Sequence, residues 1–405
     1  MTALRNYSLV TGAYWGFTLT DGALRMLVLL HFHSLGYSAL QIAFLFLFYE
    51  FFGILTNLVG GWLGSHFGLK VTLFAGLALQ ILALTLLALL QPDWSATISV
   101  AYVMTAQALS GIAKDLTKMS SKSAIKLLVP AGEEGLLFKW VAILTGSKNA
   151  LKGAGFFLGG LLLGWLGFRL SLLVMAGGLL LIILVAGTTL PRQMGRAKTG
   201  IKFSRILSKS RNINLLSAAR MFLFGSRDVW FVVGLPVFLA STLGWSHPQV
   251  GGFMALWVIG YGAIQALAPK LLRSCLGDRL PHGGTASLAA FSLVLLTALI
   301  ATGVGLSLPA WLTVIAGLAL FGIFFAINSA IHSYLILAYA DTENVAVDVG
   351  FYYMANAAGR LGGTLLSGLM FQNFGLTGCL WLSVLLLTAA GGLSRFLPGR
   401  ALATP

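Results

Sequence analysis

Long apolar runs, each sufficient to cross a lipid bilayer as a helix, recur about twelve times between Leu9 and Phe396. A hydrocarbon core of about 30 Å requires roughly 20 apolar residues in helical conformation. The composition agrees, since 58% of the residues are hydrophobic and only 9% are charged. A soluble domain of this size needs far more charge for its surface. We therefore predict an all-α polytopic membrane protein.

The predicted spans account for nearly the whole chain and leave no room for a sizeable aqueous domain. The two cysteines, Cys275 and Cys379, have neither metal-ligand nor redox spacing, and no nucleophile and base occur at a recognisable spacing. We therefore expect no enzyme, no cofactor and no metal. The spans are 9–33, 40–63, 71–91, 96–120, 137–166, 170–190, 213–240, 248–270, 284–304, 309–338, 346–372 and 376–396.

Basic residues concentrate in alternate connectors. The connectors after spans 2, 4, 6 and 8 contain Lys or Arg, whereas those after spans 1, 3, 7, 9 and 11 contain none, and the connector after span 5 has only Arg169. The positive-inside rule then places both termini in the cytoplasm. The net charge of +15 is accordingly attributed to topology and to contacts with anionic membrane lipids, not to nucleic-acid binding.

The chain divides into two halves of six spans. The segment 191–212 carries seven basic residues and no acidic one, and it separates residues 1–190 from residues 213–405. The halves also resemble each other, because Leu35-Gly36-Tyr37-Ser38 recurs as Leu243-Gly244-Trp245-Ser246. Paired six-helix repeats are typical of transporters with a binding site near the bilayer midplane.

The connector after span 2 resembles a known signature. Residues 61–70 read GWLGSHFGLK and resemble the G-x-L-G-D-R-F-G-R-K motif of the major facilitator superfamily. Ser65, His66 and Leu69 stand where that motif has Asp, Arg and Arg. The resemblance implies the major facilitator fold with twelve transmembrane helices, in which spans 1, 4, 7 and 10 line a central cavity and spans 2, 5, 8 and 11 lie beside them. A monomer is expected, because most proteins of this fold work as monomers.

Ionisable side chains within the spans indicate the functional residues, because each costs at least about 2.5–3.5 kcal/mol to insert. Basic residues outnumber acidic ones, which predicts an anionic substrate, and the arginine fork suits phosphate-like oxyanions. The predicted substrate-binding residues are Arg25, Lys114, Lys118, Lys148, Lys152, Arg220, Arg227, Asn356 and Arg360. The predicted proton-coupling or gating residues are Asp21, Glu50 and Asp228.

Each role has a structural alternative. Asp21 and Arg25, spaced i and i+4, either form only a structural pair or act on the substrate. Glu50 either pairs with Arg360 or carries a proton. Arg220 either binds substrate or marks the cytoplasmic mouth. The glycine run of span 5 favours close helix packing and only partly matches the antiporter motif.

Beyond the superfamily, the chain resembles the organoarsenical efflux permeases of the ArsJ type. The resemblance spans nearly the whole length and includes most of the intramembrane charges. It is densest at 12–32, 45–63, 110–128, 138–160, 215–239 and 348–363.

This resemblance implies export of 1-arseno-3-phosphoglycerate from the cytoplasm, arsenate resistance and a location in a bacterial inner membrane. Glyceraldehyde-3-phosphate dehydrogenase, which makes this anion when arsenate replaces phosphate, is then a functional partner. The residues alone predict only a transporter that prefers anions. A transporter of phosphorylated metabolites or of another organic anion on the same fold is the alternative, and a non-transporting membrane scaffold or sensor is a third.

Overall fold

The computed structural model describes residues 2–67, 69–128, 134–189, 210–276, 281–339 and 345–398. Every regular element within these residues is a helix, which confirms the predicted all-α class. The helices are α1 (Thr2–Ser34), α2 (Ala39–Leu45), α3 (Leu47–Phe67), α4 (Leu69–Ala88), α5 (Ala96–Leu128), α6 (Glu134–Thr189), α7 (Arg211–Phe231), α8 (Gly234–Ser241), α9 (His247–Leu276), α10 (Gly283–Gly305), a π-helical turn (Trp311–Ala316), α11 (Gly317–Tyr339) and α12 (Val345–Arg395).

The two longest helices each contain a kink at a glycine. Gly167 in α6 and Gly375 in α12 have φ values of 70° and 61°, in the left-handed region that favours glycine. Gly167 falls between the predicted spans 5 and 6, and Gly375 falls between the predicted spans 11 and 12. With α6 and α12 divided at these kinks, every predicted span corresponds to a helical segment of the described chain.

The internal repeat is also visible in the backbone. Gly36 and Gly244, in the two copies of the Leu-Gly-aromatic-Ser sequence, both have positive φ. Gly36 precedes Gly244 by 208 residues, and Gly167 precedes Gly375 by the same interval. In the first copy, Ser38 then caps the N-terminus of α2, with its hydroxyl accepting from the backbone N–H of Gln41.

The chain forms two compact units. The first unit comprises Met1–Tyr37, Phe48–Phe203 and Trp245–Ile259, and the second comprises Ser38–Leu47, Ser204–Gly244 and Gly260–Pro405. The units therefore do not follow the chain order strictly, because a short segment of each sequence half packs with the other half.

Two predicted features fall outside what the structure describes. They are the side chains of the signature motif through Leu69 and most of the predicted linker (residues 191–209). The predicted domain boundaries and the cytoplasmic termini stay predictions.

Two predicted spans are interrupted in a way that the hydropathy pattern did not reveal. Span 2 is divided at Phe46, and span 7 is divided at Val232 and Val233. The second break has a local cause, because Pro236 lacks the N–H that would continue the helix ladder to Val232. The hydroxyl of Ser367, from α12, accepts hydrogen bonds from the backbone N–H groups of Val233 (3.3 Å) and Gly234 (3.0 Å).

Glycines bring pairs of helices into backbone contact within each unit. In the first unit, a side chain at Gly155 or Gly159 of α6 would collide with the backbone of α1 at Leu19 or Ala23. In the second unit, a side chain at Gly359 of α12 would collide with the backbone of α7 at Met221. The glycine run of span 5 therefore serves close helix packing, as predicted.

Replacement of Gly159 by leucine should destabilise the first unit, because the new side chain has no space between α6 and Ala23 of α1. Overpacking of this kind costs about 1–3 kcal/mol. We expect G159L to lower the unfolding temperature of the purified protein in detergent by several degrees. Gly177 lies on the same helix with open space around its Cα, so G177L is the control. Equal unfolding temperatures for the two variants would contradict the close crossing.

Candidate functional site

Span 1 presents a carboxylate and a guanidinium to α3 in the first unit. Asp21 and Arg25 are both buried in α1. The Tyr49 hydroxyl donates to Oδ1 of Asp21 at 2.7 Å, and Nη2 of Arg25 donates to Oε1 of Glu50 at 2.7 Å. No contact joins Asp21 to Arg25, so the structural pair that their spacing allowed is not formed in the described chain. Both side chains instead reach across to adjacent residues of α3.

A second group of charges lies on α5 and is linked to the first through Tyr49. The Lys114 ammonium lies 4.1 Å from the centroid of the Tyr49 ring, and the Arg25 guanidinium lies 5.3 Å from it. Asp115 is fully buried, with Nζ of Lys118 at 3.2 Å and Nζ of Lys114 at 4.0 Å from its carboxylate oxygens. Nζ of Lys118 also donates to the side chain of Asn57 at 2.9 Å.

We call this group the unit 1 cluster: Asp21, Arg25, Tyr49, Glu50, Lys114, Asp115 and Lys118. It contains three cations and three carboxylates, so its formal charges cancel, although only Glu50 and Asp115 pair directly with the cations. Lys148 and Lys152 are partly buried on α6, which packs against α1 and brings the Lys152 backbone carbonyl beside Gly22. The Lys152 ammonium lies 5.7 Å from the centroid of the Phe156 ring.

In the second unit, one carboxylate serves two guanidinium groups. Asp228 of α7 is 1% exposed. Nε of the adjacent Arg227 donates to its Oδ1 at 2.7 Å, and Nε of Arg360, from α12, donates to its Oδ2 at 3.3 Å. Arg360 therefore has Asp228 as a partner, whereas the pairing of Arg360 with Glu50 considered from the sequence stays a prediction.

Arg220 has a different environment from every other cation in these groups. It is 5% exposed, and its guanidinium lies 3.9 Å from the centroid of the Phe224 ring and 5.2 Å from that of Tyr352. Its hydrogen bonds go only to neutral acceptors: Nε donates to Oδ1 of Asn356 (3.0 Å), and Nη1 donates to the carbonyl and hydroxyl oxygens of Ser329 (3.1 Å each).

In the described part of the chain, no carboxylate lies within 4.0 Å of Arg220, and its Nη2 has no acceptor. The surrounding groups are also rich in donors. Tyr261 and Gln265 each place a donor on the Ser329 hydroxyl, at 3.2 Å and 3.3 Å. A hydroxyl accepts at most two hydrogen bonds. The Ser329 hydroxyl thus meets more donors than it can accept from, and an anionic ligand would supply further acceptors to Arg220.

The unit 2 cluster consists of Arg220, Arg227, Asp228 and Arg360. Arg220 and Arg227 are seven residues apart on α7 and share a helix face, since both guanidiniums lie over Phe224, at 3.9 Å and 4.8 Å. A buried charge without a partner costs several kcal/mol. Arg220, whose hydrogen bonds within the described residues go only to neutral acceptors, therefore makes this cluster the candidate anion site.

Comparison with known protein families decides the class of the protein. Residues 10–298 match the sequence model of the Major Facilitator Superfamily. The chain belongs to this superfamily. It is accordingly a multi-pass membrane protein with the fold of a membrane transporter, as the sequence predicted, and the superfamily is one of transporters, not of enzymes.

Solved structures support the assignment of this superfamily member at the level of fold. A D-xylose-proton symporter is 13% identical, with a TM-score of 0.73 and 99% of each chain covered. A POT family transporter in complex with a thioalcohol-conjugated peptide is 14% identical, with a TM-score of 0.72, and 96% of this chain and 95% of that chain are covered. A comparison with curated proteins gave no significant match.

Sequence reasoning missed several groups in these clusters. Tyr49 directly precedes Glu50, a predicted site residue. A single tyrosine in an apolar span gave no reason to expect a role for Tyr49 itself. Ser329, Tyr261 and Gln265 are common in transmembrane helices, so only the bonded geometry around Arg220 singles them out. Asp115 was visible as an intramembrane charge, but its position between two lysines required the structure.

Separate replacement of Arg25 and Glu50 should destabilise the protein more than their joint replacement. Removal of one partner of a buried ion pair costs about 3–5 kcal/mol, because the other charge stays buried. We expect R25M and E50Q each to lower the unfolding temperature, and the double variant to regain part of the loss. A double-mutant cycle on the purified protein measures this coupling. Strict additivity of the two losses would contradict the pair.

Proposed function

We propose that this member of the major facilitator superfamily exports an organoarsenical anion, 1-arseno-3-phosphoglycerate, from the cytoplasm and thereby confers arsenate resistance. The observation that carries the proposal is the buried Arg220 guanidinium, which has only neutral acceptors in the described chain. The resemblance to organoarsenical permeases supports the identity of the anion.

The chemistry of the substrate fits the charges of the unit 2 cluster. A phosphate and an arsenate ester carry several oxyanion charges on one small skeleton. Nη2 of Arg220 has two N–H groups to offer, and charge-assisted hydrogen bonds of this kind are the strong ones. Arg227 and Arg360 both bind Asp228 beside this site. The charges of Arg25, Lys114 and Lys118 are balanced by carboxylates within the unit 1 cluster. We therefore propose that these residues contribute less to substrate binding than Arg220 does.

The proposal includes proton coupling, and the geometry favours Asp21 among the three predicted carboxylates. Glu50 and Asp228 each pair with a guanidinium. Asp21 accepts from the neutral Tyr49 hydroxyl, and no cation lies within 4.0 Å of it in the described residues. A carboxylate with a neutral partner takes up and releases a proton without breaking an ion pair.

The same proposal includes a location in a bacterial inner membrane, cytoplasmic termini and a functional link to glyceraldehyde-3-phosphate dehydrogenase. Export of another phosphorylated metabolite is the alternative, since any small polyanion satisfies the unit 2 cluster.

Transport into everted membrane vesicles distinguishes the organoarsenical from another phosphorylated metabolite. They are supplied with the dehydrogenase, NAD, glyceraldehyde 3-phosphate and arsenate. Arsenic accumulation that requires every component supports the organoarsenical, and its absence from energised vesicles that accumulate 3-phosphoglycerate supports the alternative.

Replacement of Arg220 by glutamine should reduce arsenic accumulation in these vesicles by more than tenfold. A hydrogen bond to a charged group contributes about 1.5–3 kcal/mol, and 1.4 kcal/mol corresponds to a factor of ten. Arg169 is exposed at the end of the Gly167 kink, so R169Q is the matched control and should retain transport. Transport by R220Q at the rate of R169Q, with equal protein in the membrane, would remove Arg220 from the site.

Replacement of Asp21 by asparagine should uncouple transport from the proton gradient. Arsenic accumulation in everted vesicles, which pump protons inward, should lose its dependence on the imposed pH difference, while exchange of substrate at equal pH on both sides continues. Asp93 is an exposed carboxylate in a connector, so D93N is the control. A D21N protein that still responds to the gradient would exclude Asp21 as the proton carrier.

A further inference from the structure

Helix α11, which supplies the Ser329 acceptor of Arg220, also carries two buried polar side chains. Neither takes part in the ion pairs and hydrogen bonds described above. Asn328 and His332 are both 0% exposed. They are spaced i and i+4 and therefore lie on one face of the helix. Asn328 directly precedes Ser329, whose carbonyl and hydroxyl oxygens accept from Arg220. His332 follows Ser329 by three residues and therefore lies on the same helix face as this acceptor of Arg220.

All the polar atoms of these two side chains lack a hydrogen-bond partner in the described part of the chain: Oδ1 and Nδ2 of Asn328, and Nδ1 and Nε2 of His332. A buried donor or acceptor left unsatisfied costs about 1–3 kcal/mol. The large majority of buried side-chain polar atoms in proteins have a partner. Two adjacent side chains with none therefore indicate a position that a polar ligand occupies.

Among the described residues, Asn328 and His332 each leave two buried polar atoms without a hydrogen-bond partner, whereas the other buried side chains leave at most one. Gln80 lacks a partner only at Nε2, because its Oε1 accepts from Ser110 at 2.7 Å. Thr364 and Ser383 have a single hydroxyl, which in a helix can turn to a backbone carbonyl one turn earlier. The amides of Asn57 and Asn373 donate to the backbone carbonyl one turn earlier, at 2.8 Å each. Asn328 and His332 make no such bond in the described chain, so both side chains are available to another group.

We propose that Asn328 and His332, together with Arg220, form a subsite for the hydroxyl-bearing part of an organic anion. The oxyanion is held by Nη2 of Arg220. A hydroxyl of the ligand bonds with the Asn328 amide and the His332 imidazole, each of which offers both a donor and an acceptor. The substrate class is therefore a small hydroxylated organic anion, and inorganic phosphate leaves the two side chains unpaired. This inference rests on the proposed anion transport.

The experiment measures binding to the full-length protein in nanodiscs. The probes are 3-phosphoglycerate, the analogue that lacks its C2 hydroxyl, glycerate, propionate and inorganic phosphate. A site that hydrogen-bonds a hydroxyl rejects the analogue lacking it. We expect the wild type to bind each hydroxylated probe at least tenfold more tightly than its deoxy counterpart.

Variants N328L and H332L should bind both members of each pair within about twofold, with unfolding temperatures at or above that of the wild type, since an unpaired polar group is removed. Q107L replaces a buried polar side chain of the first unit and should keep the wild-type preference. If a leucine variant does not fold, N328T and H332N test the same point.

The outcomes separate this inference from the proposed function. Loss of 3-phosphoglycerate binding in R220Q, with the hydroxyl preference intact in N328L and H332L, overturns the subsite but retains the anion site. A preference for glycerate over propionate that disappears in N328L, without any binding of 3-phosphoglycerate, supports the subsite and overturns the phosphorylated substrate. Equal binding of hydroxylated and deoxy probes by the wild type overturns the subsite.

Discussion

The requirement that charge inside a membrane be neutralised governs the arrangement of this molecule. Each ionisable side chain in a span is expensive to insert, so it must meet an opposite charge, a set of hydrogen bonds or a ligand. The unit 1 cluster meets the requirement internally, because Glu50 faces Arg25 and Asp115 faces Lys114 and Lys118. The unit 2 cluster does not, since the hydrogen bonds of Arg220 within the described residues go only to neutral acceptors. The difference between the two clusters is what identifies the second as the candidate anion site.

Close crossings of helices make these charge contacts possible. Gly363 of α12 lies against Gly225 and Asp228 of α7, and Gly359 lies against Met221. The absence of side chains at these positions allows the two backbones to approach, and this proximity brings Arg360 within 3.3 Å of Asp228. Gly22, Gly155 and Gly159 produce the equivalent approach of α1 and α6 in the first unit. Small residues therefore determine which charges meet, although they carry none themselves.

The sequence-based predictions succeeded where one helix alone fixes the answer. Arg220 and Arg227 share a face because seven residues make nearly two turns, and both lie over Phe224. The same reasoning allowed a pair between Asp21 and Arg25, but each found a better partner on α3. Spacing along a helix specifies which side chains are neighbours on its surface. It does not specify what the adjacent helix offers, and a strong donor or acceptor across the interface prevails over a local pair of modest strength.

The sequence by itself determined the class of the molecule, the number and approximate limits of its spans, the repeated turns at Gly36 and Gly244, and the set of intramembrane charges. These follow from bilayer thickness, backbone hydrogen bonding and the cost of buried charge, which depend on local composition. Only the tertiary structure decided which charges pair, that Arg220 is held by neutral groups, and that Asn328 and His332 lie buried with no hydrogen-bond partner among the described residues. Those properties depend on contacts between helices far apart in the chain. One side chain's partner is set by the packing of the whole unit, and no local pattern encodes it.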